Sequence, residues 1–360
     1  MTFRRTILTS VATIALAGAA SAEDLTIVSW GGAYSASQDK AYHQPYMAEH
    51  PDVNIINDES SNEAVAKLRA MSEAGNVTWD LVDVEGPDSQ RLCDEGLAQE
   101  IDLNDWAKAA PDGTTATVDF GDAVINDCFI PQIVFSTTFG YRTNVPEWNG
   151  KEPTSLCDIF DTTNFPGKRA LEKRPKKNIE WALICDGVAK DDLYDVMSTP
   201  EGIDRALKKL DTIKSDVIWW SAGAETPQLL ADGEIVMGST YNGRLYSLIA
   251  EDKQPVKMLW DWQVFDYDGW VVPAGLSDEK LAAVKQYINF ATDTQRLADQ
   301  AKYIAYGPAR ASSQPLVTDA MKPYMPTNPD NMGNYLVNNI EWWADNQDDV
   351  EQKFQAWLTQ

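Results

Sequence analysis

The sequence VNIINDESSNEAVAKLRAMSEAGNVTWDLVDVE, residues 53–85, decides the fold class. Val53–Asn57 and Trp79–Glu85 are short apolar runs of strand length, and Asn62–Ala74 between them carries apolar residues at helical spacing. Two strands joined by a helix are typical of a parallel pair with a crossover connection. This stretch therefore predicts an α/β protein.

The same alternation extends in both directions along the chain. Leu25–Trp30 is an apolar strand ahead of two glycines, and Ile130–Asn144 is a long extended stretch that we expect to lead out of a first domain. A chain of 360 residues is expected to form two domains. Since no flexible linker separates the halves, we expect more than one crossing between the domains, with a ligand in the cleft at the strand ends. Later segments read as strands at 217–220, 234–239, 257–262 and 270–273, and as helices at 180–186, 201–213, 225–231, 243–250, 278–292, 294–303, 333–345 and 348–358.

Residues 1–22 read as a secretory signal peptide. Arg4 and Arg5 form a basic start, Ile7–Ala20 is a short stretch of apolar and small residues, and Ala20-Ser-Ala22 is a cleavage site. No cysteine follows that would carry a lipid anchor, and no later stretch is apolar over about 18 residues. The sequence therefore predicts cleavage after Ala22 and release of a soluble protein.

Four cysteines in an exported chain are expected to form disulfides. They allow three pairings. We favour Cys93–Cys128 and Cys157–Cys185, because each joins neighbours in the sequence within one predicted half. The spacing suits neither a redox pair nor a zinc site, so a structural role is expected.

Charge and motifs exclude several classes of function. The net charge of −25 argues against nucleic acid or an anionic membrane as partner and is compatible with a cationic ligand. The two histidines, His43 and His50, lie two helical turns apart and cannot share a metal, and no nucleotide-binding, nucleophile-elbow or zinc-protease motif is present. We expect no enzyme, no metal and no cofactor. An exported carbohydrate hydrolase with paired carboxylates remains an alternative, because periodicity cannot locate such a pair.

Aromatic and acidic residues concentrate where predicted strands end. Trp30 precedes Gly31-Gly32, Glu85 ends the third strand, Tyr241 follows the strand at 234–239, and Trp270 lies beside a turn expected at Asp266–Asp268. An aromatic face attracts an organic cation by about 0.5–2 kcal/mol. A charge-assisted hydrogen bond to a carboxylate adds about 1.5–3 kcal/mol. Trp30, Glu85, Tyr241 and Asp268 together would therefore suit a small amine, although core packing is the alternative for each ring.

Six short motifs occur at Leu25–Tyr34, Ser61–Leu68, Trp79–Val82, Met237–Gly243, Asp268–Pro273 and Tyr306–Pro308. Their order and spacing resemble those of one family. The chain is similar to the spermidine/putrescine-binding proteins, which are periplasmic solute-binding proteins of bacterial ABC importers. The resemblance implies a type II periplasmic binding protein fold, with two lobes, each a central mixed sheet flanked by helices, and crossover strands at the hinge. It implies lobes at 25–141 with 269–312 and at 142–268 with 313–360. It further implies a monomer in the periplasm that delivers a polyamine such as putrescine or spermidine to a membrane permease.

The resemblance also implies individual contacts. Trp30 and Tyr34 match an aromatic pair that flanks the ligand, Glu85 a polar contact, Tyr241 a stacking residue, and Asp268 the carboxylate that binds an amine.

Two departures from the family pattern leave alternatives open. Arg244 stands where some relatives have an acid, and basic residues fill 173–177 where relatives place acids. Arg244 in the site would favour a zwitterionic or anionic ligand, or an amine that carries an anionic group. Alternatively, Arg244 points into its lobe or bridges to Glu225 or Asp268. The basic run reads most simply as a solvated surface turn.

Overall fold

The computed structural model describes residues 23–360, and the expected signal peptide lies outside the described residues. Strands and helices alternate along the chain, as the sequence predicts. The strands are β1 (Glu23–Val28), β2 (Val53–Asp58), β3 (Leu81–Glu85), β4 (Ile130–Arg142), β5 (Arg169–Glu172), β6 (Val217–Trp220), β7 (Met237–Tyr241), β8 (Val256–Val271), β9 (Gly307–Pro308) and β10 (Tyr335–Val337).

The helices fill the connections between these strands. The α-helices are α1 (Gly32–Gln38), α2 (Gln44–Glu49), α3 (Ala64–Glu73), α4 (Gly86–Asp94), α5 (Leu103–Trp106), α6 (Ala116–Phe120), α7 (Asn178–Cys185), α8 (Leu193–Met197), α9 (Pro200–Asp211), α10 (Glu225–Asp232), α11 (Asn242–Tyr246), α12 (Asp278–Ala291), α13 (Thr294–Gln300) and α14 (Ile340–Leu358). Two π-helical turns, Asp39–His43 and Ser247–Glu251, continue α1 and α11. In the described part of the chain, no helix combines the length and apolar character that crossing a membrane requires.

The strands form one mixed sheet in the order β2-β1-β3-β8-β4-β7-β5-β6. The pairs β1–β2, β1–β3, β5–β6 and β5–β7 are parallel. The pairs β3–β8, β8–β4 and β4–β7 are antiparallel. We call the end of the sheet with β1, β2 and β3 the β1 half, and the end with β5, β6 and β7 the β5 half.

The two long central strands, β4 and β8, connect these halves. They pair from Ile130 with Trp270 to Arg142 with Val256, with register shifts after Pro131 and after Thr137. The C-terminal end of β8 pairs with β3 in the β1 half, and the C-terminal end of β4 pairs with β7 in the β5 half. The extended stretch expected at 130–144 is therefore confirmed as a strand.

Two local predictions are wrong. The strands expected at 257–262 and 270–273 are one strand, β8, so Asp266 and Asp268 lie within a strand and not in a turn. Acidic residues around a glycine resemble a turn in sequence, but here they face a buried polar region. The helices expected at 333–345 and 348–358 are likewise one helix, α14, because its acidic middle is a solvated helix face and not a break. This helix begins only at Ile340, because the residues before it include the strand β10.

Each half has its own buried core. In the β1 half, residues of α12 and the first helices pack around Trp270 and Tyr287, and in the β5 half α7, α9 and α14 pack around Trp343 and Phe354. The disulfides favoured from the sequence are both present. These cores support the strand ends that carry the site, because β3 leads directly into α4 and β7 into α11.

Candidate functional site

A cavity lies where β3, β7 and β8 meet the segment after β1. About 290 Å³ of empty space lies between its walls, including open solvent at its mouth, so the cavity is small. Six of the seven residues that the sequence singles out lie on its wall. The lining residues are Trp30, Tyr34, Glu85, Ile133, Phe135, Tyr241, Arg244, Asp268 and Tyr306.

Strand ends position most of this wall, as expected for an α/β sheet. Glu85 is the last residue of β3 and Tyr241 the last residue of β7. Trp30 and Tyr34 follow β1, where Gly31 and Gly32 both have positive φ. A Cβ atom at Gly32 would lie 3.0 Å from Nη1 of Arg244, so glycine allows the backbone to approach the guanidinium closely.

One wall residue of the cavity, Asp268, is acidic, and a second carboxylate, Asp83, lies close to it outside the wall. Asp268 and Asp83, which we call the acidic pair, are both buried, and Oη of Tyr34 lies 2.9 Å from Oδ1 of Asp268 and 3.4 Å from Oδ1 of Asp83. Burial raises the pKa of Asp83 to about 6. Burial and the charge of Asp83 raise the pKa of Asp268 well above its usual range.

No lysine or arginine among residues 23–360 forms an ion pair with either member of the acidic pair. A buried carboxylate without a cation is costly, so the pair favours retaining a proton. An ammonium group entering the cavity would supply the missing positive charge.

Another part of the wall is cationic. Arg244, in α11, is 7% exposed, and its Nη2 lies 3.4 Å from the backbone oxygens of Trp30 and Gly31. Its Nε has no hydrogen-bond partner, and no carboxylate within the described residues forms an ion pair with it. Arg244 therefore lines the cavity and bridges neither to Glu225 nor to Asp268. A guanidinium with unused donors suits a carboxylate.

Glu85 differs from the acidic pair because it already has cationic partners. Lys176 donates to its Oε2, and Nζ of Lys177 lies 3.3 Å from its Oε1. Burial alone would raise the pKa of Glu85, but the two ammonium groups outweigh burial and hold that pKa well below its usual range. Glu85 is thus ionised and compensated within the protein.

The interpretation of residues 173–177 as a solvated turn is wrong for two of its lysines. The side chains of Lys176 and Lys177 are only 7% and 2% exposed, whereas Lys173 is exposed as expected. Their buried partner, Glu85, lies more than eighty residues earlier in the chain, so no local pattern could reveal it.

Trp270 does not line the cavity, contrary to the expectation from sequence. It shares a face of β8 with Asp268 but lies two residues further into the β1 half, where its indole packs 5.8 Å from Tyr42 and 6.2 Å from Tyr287. The sequence predicts a turn at Asp266–Asp268 with Trp270 beside it, but β8 continues through this region and carries Trp270 into the core.

Three apolar or aromatic wall residues were not singled out as contacts. Ile133 and Phe135 alternate along β4, and the ring of Phe135 lies 5.6 Å from Tyr241 and 6.1 Å from Tyr306. Ile133 and Phe135 are two residues apart in a strand, a spacing that indicates a shared face. Tyr306 begins the motif Tyr306–Pro308 quoted above. Together they give the cavity an apolar surface between its charged groups.

Comparison with known proteins adds to this geometry. Residues 41–327 match the family model of bacterial extracellular solute-binding proteins. The chain is 35% identical over 345 residues to the gamma-aminobutyric acid (GABA)-binding protein of Pseudomonas aeruginosa, which covers 95% of this chain and 93% of the relative.

Solved structures agree with the fold. The periplasmic binding protein AgtB of A. tumefaciens R10 in complex with agropinic acid superposes with a TM-score of 0.81 at 28% identity, over 94% of this chain and 99% of that one. A GABA receptor superposes with a TM-score of 0.79 at 32% identity, over 93% of this chain and 98% of that one. The type II periplasmic binding protein fold expected from the sequence is confirmed. These relatives are described as binding proteins or receptors, not as enzymes.

Proposed function

The chain belongs to the bacterial extracellular solute-binding protein family, and on that premise we propose that it is the periplasmic receptor of an ABC importer for a small zwitterion. The ligand carries an ammonium group and a carboxylate at separate ends, as GABA does. The receptor binds it without chemical change and delivers it to a membrane permease.

One observation carries this proposal. The same cavity contains Arg244, which has no carboxylate partner, and Asp268, which has no cationic partner, within residues 23–360. Each charge-assisted hydrogen bond to such groups contributes about 1.5–3 kcal/mol. With contributions from the aromatic wall, two charged contacts approach the roughly 8 kcal/mol that a micromolar site requires.

A polyamine, the ligand expected first from the sequence, is less well supported. Putrescine has an ammonium group at each end, and the acidic pair could bind only one of them. The other carboxylate of the cavity, Glu85, is already compensated by Lys176 and Lys177. The relatives described as binding GABA also favour the zwitterion.

We further propose that the halves move as lobes about the crossing strands. The lobes would comprise residues 25–141 with 269–312 and residues 142–268 with 313–360. Trp30, Tyr34 and Glu85 would then contact ligand from one lobe and Tyr241 and Arg244 from the other, with Asp268 at the hinge. Contacts made only when the lobes approach shift the population toward closure.

The test is calorimetric titration of ligand-stripped protein with four compounds. GABA carries both charges, putrescine carries two ammonium groups, butylamine carries one, and butyrate carries the carboxylate alone. We expect GABA to bind at least about 10-fold more tightly than each of the others, because only GABA satisfies both unpartnered groups. Tighter binding of putrescine than of GABA would contradict the proposal.

A further inference from the structure

The second inference concerns two lysines that reach the site from the opposite half. Lys176 and Lys177 lie in the segment between β5 and α7, in the β5 half, while their partner Glu85 ends β3 in the β1 half. Both ammonium groups are buried. The contact therefore brings a charge from one half to the binding wall of the other.

The ammonium group of Lys177 is enclosed by aromatic rings and carboxylates. Its Nζ lies 5.4 Å from the ring centre of Phe135, 5.8 Å from that of Tyr241, and 3.3 Å from Oε1 of Glu85. It also lies 3.9 Å from Oδ2 of Asp266. Rings and carboxylates at these distances are the environment that an organic ammonium ligand needs. Here the protein fills that environment with its own side chain.

The backbone of Lys177 is held in an unusual conformation. Its φ is 75°, in the left-handed region that is strained for a residue other than glycine. Its backbone N–H donates to Oε2 of Glu180 at 2.8 Å, and the side-chain Nδ2 of Asn178 donates to the backbone oxygens of Glu172 and Arg174. These bonds fix the segment without using the lysine ammonium groups.

We propose that Lys177, together with Lys176, acts as a built-in cation that occupies the place of a second ligand ammonium group and so makes the cavity select ligands with one ammonium over diamines. This inference rests on the proposed function, since it explains how a wall with a second buried carboxylate, Glu85, would reject putrescine. With both lysines in place, a second ammonium at Glu85 would meet two like charges and no unpaired carboxylate. Without them, Glu85 would be a buried carboxylate available to a diamine.

The test is a gain of putrescine binding. Lys177→Met and the double variant Lys176→Met/Lys177→Met are titrated with putrescine, butylamine and GABA, beside the wild-type protein. Lys173→Met is the matched control, because Lys173 lies in the same segment and is exposed. We expect putrescine affinity to rise about 10-fold to 100-fold in the double variant and less in the single variant, which retains Lys176. Butylamine affinity should change little.

A second measurement links the gain to Glu85. Adding Glu85→Gln to the double variant should abolish the gained putrescine affinity and remove any extra thermal stabilisation by putrescine over butylamine. If the double variant does not fold, putrescine affinity is compared between Lys177→Met and Lys177→Met/Glu85→Gln. The gain seen in the first should be absent from the second. Folded lysine variants that bind putrescine no better than the wild-type protein would overturn the inference.

The two proposals fail separately. Wild-type protein that does not bind GABA would contradict the proposed function, while a Glu85-dependent gain of putrescine binding in the lysine variants would still support the built-in cation. Conversely, GABA binding by the wild-type protein with no gain in the variants would leave the proposed function supported and the built-in cation refuted.

Discussion

Glu85 and Asp268 lie directly opposite each other on adjacent antiparallel strands, yet only Glu85 has lysines against it. Two like charges in facing positions destabilise a sheet. The protein resolves this in two ways, because Glu85 is ionised and compensated by lysine, whereas the pKa of Asp268 is raised by burial and by Asp83. Glu85 therefore has cationic partners within the protein, whereas Asp268 has none among residues 23–360.

Replacing Asp268 tests the ammonium contact. Asp268→Asn should weaken GABA binding by about 30-fold or more, because loss of a buried carboxylate leaves the ligand ammonium without its partner. Calorimetry with GABA measures the change, and Asp252→Asn, at an exposed position, is the control. An unchanged affinity would remove Asp268 from the site.

Replacing Arg244 tests the carboxylate contact. Arg244→Met should weaken GABA binding by roughly 30-fold and leave butylamine binding nearly unchanged, because butylamine has no anionic group for the guanidinium. The control is Arg205→Gln, at a surface ion pair with Asp186. Equal losses for GABA and butylamine would mean that the substitution disturbs the cavity as a whole.

Binding should release a proton. Burial raises the pKa of Asp83 to about 6 and raises that of Asp268 well above its usual range, so the acidic pair holds a proton near neutral pH. A ligand ammonium stabilises the ionised pair and lowers its pKa, and GABA affinity should therefore rise with pH through this range. Titrations in two buffers of different ionisation enthalpy count the proton. Proton uptake, or the same release in Asp268→Asn, would contradict the assignment.

The acidic pair should also make unliganded protein less stable as pH rises. Unfolded aspartates have a pKa of about 4, so above this pH the folded state binds more protons than the unfolded state, and the free energy of unfolding falls with rising pH until the folded pKa is passed. Asp268→Asn removes the contribution of Asp268, while the pKa of Asp83 stays raised by burial, so the variant should lose less stability as pH rises. We expect its Tm relative to wild type to increase between about pH 5 and pH 8, as measured by thermal unfolding across this range. A Tm difference that is constant with pH would show that the pair does not hold the proton.

Trp270 should matter for stability and not for binding. It is fully buried between Tyr42 and Tyr287, so Trp270→Phe should reduce the free energy of unfolding by about 1–3 kcal/mol while GABA affinity stays the same. Urea unfolding and calorimetry measure the two effects. Trp30→Phe should give the reverse pattern, because Trp30 is on the cavity wall.

Rules that depend on neighbours in the chain predicted much of the fold and of the cavity. Glu85 and Tyr241 were identified because strand ends can be read locally and parallel strands bring their carboxyl ends together. Asp83 was missed, although its spacing of two from Glu85 within β3 is a readable signal.

Other features depend on contacts between distant residues. The ion pair of Lys176 with Glu85 joins segments far apart in the chain. In the sequence, a basic run whose side chains are buried against acids therefore cannot be distinguished from a basic run on the surface. The continuity of β8 was hidden for a related reason, because Asp266 and Asp268 resemble turn residues unless the buried surroundings of the strand are known.

The paired strands β4 and β8 have a mechanical consequence. If the halves rotate against each other as proposed, this ribbon is twisted, because β4 and β8 pass between the halves hydrogen-bonded to each other, with irregular register near the middle. A ribbon that keeps its backbone hydrogen bonds while it twists would resist the rotation elastically and push the halves back toward their resting angle.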